Sequence, residues 1–180
     1  MKNLPKIALS LIAVGVFAHA NASTITVSTG FSNAGAQASA AAYQSVVNAA
    51  VATPGAGYGS TTIASYDNVT NSGLFGSGSN IAFKSVINFG VSAADAGAWS
   101  FRSGVDFGKG GALFLDGVAL DFKTNDMWWA GNYNNGSQFL SGSSALSAGN
   151  HTPSINGLEG CRAGGQQAQF KAGNNNFVSF

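Results

Sequence analysis

Charge is scarce in this sequence, and so are the residues that usually carry catalysis. Only 8% of the 180 residues are Asp, Glu, Lys or Arg. With no basic run or stripe, nothing marks the chain for nucleic acid or anionic lipid. There is one cysteine, Cys161, so no disulfide can form within the chain. Cys161 can be buried as a small apolar residue, stay free, or pair between chains. Histidine is limited to His19 and His151. A zinc site built from His and Cys clusters therefore lacks its ligands. A Ser-His-Asp triad would have to use His151, which sits in Ala148-Gly149-Asn150-His151 and reads as a polar residue at a strand edge. Glu159 is the single glutamate. Glycoside hydrolysis needs two placed carboxylates, and the sequence selects no aspartate to pair with it. Gly108-Lys109-Gly110-Gly111 has its lysine misplaced for a phosphate loop and precedes a strand, so it reads as a connection.

Long apolar runs are missing as well. Lys2 and Lys6 precede the apolar residues 7–18, and Ala20-Asn21-Ala22 follows as an A-x-A cleavage site. This order is that of a secretory signal. It is too short to span a hydrocarbon core of about 30 Å. Cleavage would leave Ser23 as the first residue, six basic residues against seven acidic ones, and a net charge of about −1. Export implies a secreted, extracellular or cell-surface protein, with the periplasm as the other destination. No transmembrane helix is expected after cleavage.

Beyond residue 22 the pattern is that of strands. Residues 24–27 alternate β-branched and polar side chains as a first strand. Tyr43, Val46, Val47, Ala50 and Val51 then recur at helical spacing. A helix is expected over 35–52, capped by Asn33 or Ser32 and ended by Pro54-Gly55. Further strands are expected at 61–66, 81–91, 97–107, 112–122, 138–140, 152–159, 167–171 and 177–180, separated by Gly-, Asn- and Ser-rich turns. Short strands with frequent turns predict an all-β antiparallel sandwich or a closed barrel. The expected organisation is a signal at 1–22, a strand and Ala-rich helical leader at 23–56, and a β-sandwich at 57–180. An outer-membrane barrel is disfavoured because several strands fall short of the roughly 9–11 residues needed.

Asp116-Gly117 predicts a two-residue type I′ hairpin. Leu113, Leu115, Val118, Leu120 and Phe122 would then share a buried face, and Ala112, Phe114, Ala119 and Asp121 a partly exposed one. Asp106, Asp116, Asp121 and Asp126 cluster around this hairpin. Loop carboxylates suit calcium, and Asp106 and Asp126 are the candidate ligands; no other cofactor is expected. Trp128 and Trp129 lie near Tyr133 in an Asn/Gly-rich segment. One tryptophan should face the core, leaving the other as an aromatic platform for a ligand or partner.

Several of these segments together resemble a known group: Trp99-Ser100-Phe101-Arg102, Asp106-Phe107-Gly108, residues 110–117, Trp128-Trp129, residues 146–151, Gly157-Leu158-Glu159-Gly160-Cys161 and residues 166–170. The resemblance is to the CCXG family of PEP-CTERM proteins, exported by exopolysaccharide-producing bacteria, and spans about residues 57–180. Here Cys161-Arg162-Ala163-Gly164 lacks the second cysteine and the acid of the family motif, and no sorting tail follows Phe180. The order Asp106, Asp116-Gly117, Ala148-Gly149, His151, Glu159 is also similar to protective-antigen-type β-sandwich domains, with jelly-roll-like topology. These resemblances imply a non-enzymatic module associated with polysaccharide or cell-surface matrix. The implied ligand-binding residues are Trp128, Trp129, Tyr133, Asp106 and Glu159. A self-associating matrix protein linked through Cys161 is the alternative, followed by a polysaccharide hydrolase using Glu159.

Overall fold

The alternation in residues 81–91 organises the whole molecule. In the computed structural model, which describes residues 21–161 and 164–180, β3 spans Ile81–Val91. The predicted signal lies outside the described residues except for its last two, which begin the first strand. Ile81, Phe83, Ile87, Phe89 and Val91 point to one face and are buried; Ala82, Lys84 and Asn88 point to the other.

Antiparallel neighbours flank β3 on both sides. β1 (Asn21–Phe31) pairs along its length and β2 (Ser60–Ile63) pairs with β1. On the other side lie β11 (Pro153–Glu159), β6 (Gly111–Leu115) and β7 (Val118–Lys123), in that order, with β10 (Gly149–His151) extending alongside β3. A second sheet has the order β13 (Val178–Ser179), β12 (Gln167–Ala172), β4 (Gly97–Gly104) and β9 (Phe139–Leu146). A third pairing joins β5 (Asp106–Phe107) to β8 (Met127–Trp128).

The sheets pack face to face as an antiparallel β-sandwich, as expected. They are two open sheets, which disposes of the closed-barrel alternative. Trp99, Phe101, Leu140 and Phe170 from the small sheet meet Ile25, Phe83, Phe89 and Leu113 from the large one. Phe89 lies at the centre of an aromatic cluster, 5.4 Å from Trp99 and 5.6 Å from Phe180 between ring centroids. No helix among the described residues is long and apolar enough to cross a membrane.

The leader is built into the sandwich. β1 is an inner strand of the large sheet, and α1 (Ala40–Val51) lies across that sheet's outer face. Its N-cap is Ser39, whose side chain accepts from the Ala42 N–H at 3.2 Å. The helix thus starts later than the expected 35, and neither Ser32 nor Asn33 caps it. Tyr43 and Val47 are fully buried against Ala82, Ala112, Phe114 and Leu158. Gly30 permits this approach: a side chain there would meet the Ala50 carbonyl oxygen at 2.1 Å. A second, short helix α2 spans Asn71–Leu74.

The hairpin forms at Asp116-Gly117 with φ of 50° and 80°, as a type I′ turn requires. Leu115 pairs Val118 and Phe114 pairs Ala119, but a bulge then pairs Leu113 with Asp121 instead of Leu120. The expected faces are corrected accordingly. Leu113 and Leu115 enter the sandwich core, Ala112 and Phe114 are buried beneath α1, and Val118 and Phe122 are exposed. β6 is covered on both sides, whereas β7 is the sheet edge. Leu113→Ala is therefore expected to cost about 2–5 kcal/mol. Val118→Ala should change stability by no more than about 0.5 kcal/mol. Urea denaturation of the two variants measures both, and equal losses would contradict this packing.

Candidate functional site

The aromatic pair is set by a two-residue ladder. Asp106 pairs Trp128 and Phe107 pairs Met127. Phe107 and Met127 are fully buried, so alternation turns Asp106 and Trp128 outward. Phe107 lies against the backbone of β11 and β6: a side chain at Gly157 would meet its ring at 2.0 Å, and one at Gly111 at 2.8 Å. Trp128 is 68% exposed. Trp129 is the more buried of the pair. Its backbone N–H donates to the Val105 carbonyl at 3.1 Å, and its ring covers Gly104, where a side chain would lie 2.3 Å from the indole.

Trp128 edges a cleft of about 410 Å³, also lined by Asp126, Ala130, Asn132, Asn135 and Gln138. Local hydrogen bonds hold the cleft's loop in shape. Asn132 Oδ1 accepts from the Asn134 N–H at 3.1 Å, and Asn135 Oδ1 accepts from Ser137 N–H at 3.1 Å at the start of a 3-10 turn, Gly136–Gln138. The Trp128 N–H donates to Gln138 Oε1, and Asn125 Nδ2 reaches the Ser137 carbonyl at 3.0 Å. An exposed indole, amides and one carboxylate thus converge on one concavity.

Tyr133 lies away from this cleft. Its ring is 5.5 Å from Trp129 and 5.1 Å from Phe139, and Arg102 covers it with the guanidinium carbon 3.8 Å from the centroid. Burial pushes the Tyr133 hydroxyl up to about 12. It remains a proton donor, to Gln167 Oε1 at 3.1 Å.

Glu159 is 3% exposed, and its two carboxylate oxygens are both occupied. Oε2 accepts from the Gly108 N–H at 2.5 Å and Oε1 from the Cys161 N–H at 2.7 Å. It joins the turn after β5 to the end of β11. Asp106 Oδ2 accepts from the Gly164 N–H at 2.5 Å. Burial raises the Asp106 carboxyl above the ordinary range; the Gly164 bond opposes this, and the charges of Glu159 and Asp126 add to it. Asp106, Asp126 and Glu159 are therefore electrostatic neighbours. Even so, no three His, Cys, Asp or Glu side chains among the described residues come together as a metal-binding group. Of the two calcium candidates, Asp126 lines the cleft while Asp106 turns one oxygen to Gly164. These side chains alone do not make a calcium cage.

Cys161 is exposed, so the buried reading of the thiol does not hold. His151 is the last residue of β10, at a strand edge as expected, and is largely buried there. Its Nδ1 lies 2.7 Å from Asp116 Oδ2 and its Nε2 3.0 Å from the Ser147 carbonyl. Both partners are acceptors, so the ring satisfies both only as the imidazolium. Asp116 Oδ1 accepts from the Thr152 N–H at 2.7 Å. The pair therefore ties the hairpin tip to the start of β11.

Sequence reasoning singled out Trp128 and Asp126 but not Asn132 and Asn135, which it treated as loop, or Gln138, which it expected to open a strand. Their density beside a tryptophan pair was the available signal.

No family model matches the sequence, and no curated protein matches it. Solved structures do resemble the fold. A PA14 sugar-binding domain from an RTX adhesin superposes with a TM-score of 0.53 at 11% identity, covering 87% of this chain and 94% of that one. The PA14 domain of the antifreeze protein MpAFP gives 0.53 at 10% identity, covering 86% and 85%. A β-glucosidase from Kluyveromyces marxianus gives 0.51 at 14% identity, covering 84% of this chain but 17% of the enzyme. The fold is thus a β-sandwich of the PA14, protective-antigen type.

The ion pair generates a pH dependence. The Asp116 hydrogen bond raises the His151 pKa above its ordinary 6.5, with burial opposing and the Ser147 carbonyl adding. A raised folded-state value means the stabilisation is complete below about 6.5 and is lost as pH rises through the folded pKa. The melting-temperature advantage of the native chain over His151→Gln is expected to shrink with rising pH. An advantage that grows with pH would show that the imidazolium is not the bonded form.

Proposed function

We propose that this protein is a non-catalytic carbohydrate-binding module, exported and associated with polysaccharide or cell-surface matrix. The carrying observation is the cleft in which Trp128 stands exposed beside Asp126, Asn132, Asn135 and Gln138. A sugar ring offers a C–H face that packs on an aromatic surface and hydroxyls that bond to amides and a carboxylate. Few convergent polar groups around an apolar contact is the usual composition of a small-ligand site. The likeness to a domain described as sugar-binding in an RTX adhesin supports the same reading.

The resemblance to CCXG PEP-CTERM proteins adds exopolysaccharide as the ligand source and an extracellular or surface location, with the periplasm as the alternative. A hydrolase acting through Glu159 is disfavoured, because that carboxylate is buried and holds two backbone N–H groups. The exposed thiol of Cys161 favours self-association as the second reading.

The test is a glycan and polysaccharide array with the exported chain, with calcium and with chelator. Trp128→Ala removes an exposed side chain and should leave the fold intact. It is expected to weaken binding about tenfold or more, corresponding to about 1.4 kcal/mol. Loss of binding in chelator would add a calcium ion near Asp106 and Asp126. Undiminished binding by Trp128→Ala would remove the cleft from the site. No binding by a folded sample, with a Cys161-dependent dimer on a non-reducing gel, would favour the self-associating matrix protein.

A further inference from the structure

The outer face of the four-stranded sheet carries cations without counter-charges. Trp99, Phe101, Leu140, Ala168 and Phe170 point into the core, so their neighbours along each strand point outward. The register then sets two rows across the sheet. Ser143, Ser100 and Lys171 form one; Ser141, Arg102 and Gln169 form the next. A shallow groove of about 340 Å³ runs over them, bounded by Phe139 and Phe177.

Arg102 is held flat in this groove. Its guanidinium carbon is 3.8 Å from the Tyr133 ring centroid and 3.9 Å from that of Phe177. Its Nε donates to Gln169 Oε1 at 2.7 Å. A guanidinium has five N–H donors, and this bond uses one. Lys171 Nζ lies 5.2 Å over the Phe177 ring. Among the described residues, neither cation has a carboxylate within salt-bridge distance; the two ion pairs present are Lys123–Asp121 and His151–Asp116. The acids at the groove's margins bond to other groups than these cations: Asp67 accepts from Gln167 Nε2 at 2.8 Å, and Asp121 from Lys123 Nζ at 2.7 Å and from the groove's own Ser141 N–H at 3.0 Å. Beside the cations, the Ser100 and Ser143 hydroxyl oxygens are 2.9 Å apart.

We propose that this face binds the carboxylate of an acidic sugar, a uronate unit within a polysaccharide. The inference rests on the carbohydrate reading and names a ligand class for a second surface, separate from the Trp128 cleft. A guanidinium fixed between two rings presents its N–H fork to a carboxylate with little rotamer freedom left to lose. Lys171 adds a second positive charge, and the serine hydroxyls suit the sugar hydroxyls beside the carboxylate. Two cations on a chain of formal net charge +1 are too few for nucleic acid, whose binding requires many phosphate contacts. They suffice for one or two carboxylates.

The experiment is calorimetric titration of the exported chain with oligogalacturonate and with its methyl ester, in which a methyl group caps each carboxylate and removes its charge. The acid is expected to bind about tenfold or more tightly than the ester, and the difference to fall as salt rises. Arg102→Gln/Lys171→Gln should abolish the acid–ester ratio. Lys171→Gln alone, which leaves the stacked guanidinium in place, should reduce it while retaining the native melting temperature. Trp128→Ala should leave the ratio unchanged. Equal affinity for acid and ester, no binding of the acid, or a full ratio in a folded Lys171→Gln chain would overturn the proposal. Neutral-glycan binding that depends on Trp128 alongside a ratio of one would defeat this proposal alone. A preserved ratio with no Trp128-dependent binding would defeat only the cleft.

Discussion

The ring of Phe107 can lie where it does only because positions 111 and 157 carry no side chain. A methyl group at either would overlap it, at 2.0 Å for Gly157 and 2.8 Å for Gly111. Phe107 also packs 6.0 Å from Phe83 on the central strand. This contact fixes β5 to the large sheet, and β5 is the partner of β8. The outward position of Trp128 follows from the inward position of Phe107 and Met127. The core beneath thus sets where Trp128 stands at the cleft, although the rest of the lining belongs to a polar loop. Trp129 repeats the device, since its ring needs the bare backbone of Gly104.

The middle of the large sheet is covered on both faces, while its edge strands β2 and β7 are partly exposed. One face meets the small sheet; the other meets α1 through Tyr43 and Val47. Polar side chains are displayed on the outer face of the small sheet, on the solvent side of α1 and at the loop ends. Asp106 and Asp126 lie at the end of the sandwich beside Trp128, while Arg102 and Lys171 stand on the small sheet.

Buried polar groups serve mainly to join elements. Glu159 connects the turn after β5 with the segment after β11 through two backbone N–H groups. His151 and Asp116 connect the hairpin tip to the strand beside it. Buried ionisable groups are tolerated where every polar atom has a partner. These two positions meet that condition, and so occupy places where catalytic residues would otherwise be sought.

Periodicity and turn chemistry were enough to locate most strands, the hairpin and the helix, because both are local. Residues 81–91 alternate over most of their length, with Ser85 on the core face and Ala82 and Val86 on the other as exceptions, and Asp116-Gly117 adopts the positive φ that a type I′ turn needs. The same local signals allowed one of two adjacent tryptophans to be exposed without saying which. Only tertiary structure decided that Trp128 is the exposed one, because the choice depends on where Phe107 packs. It also decided that Ala112 and Phe114 are covered, because a helix remote in sequence lies over them, and that Val118 is not, because β7 is an edge. Arg102 and Lys171 are far apart along the chain, and nothing in the sequence pairs them. They share a face because β4 and β12 pair in one particular register, and a register is a property of two strands together.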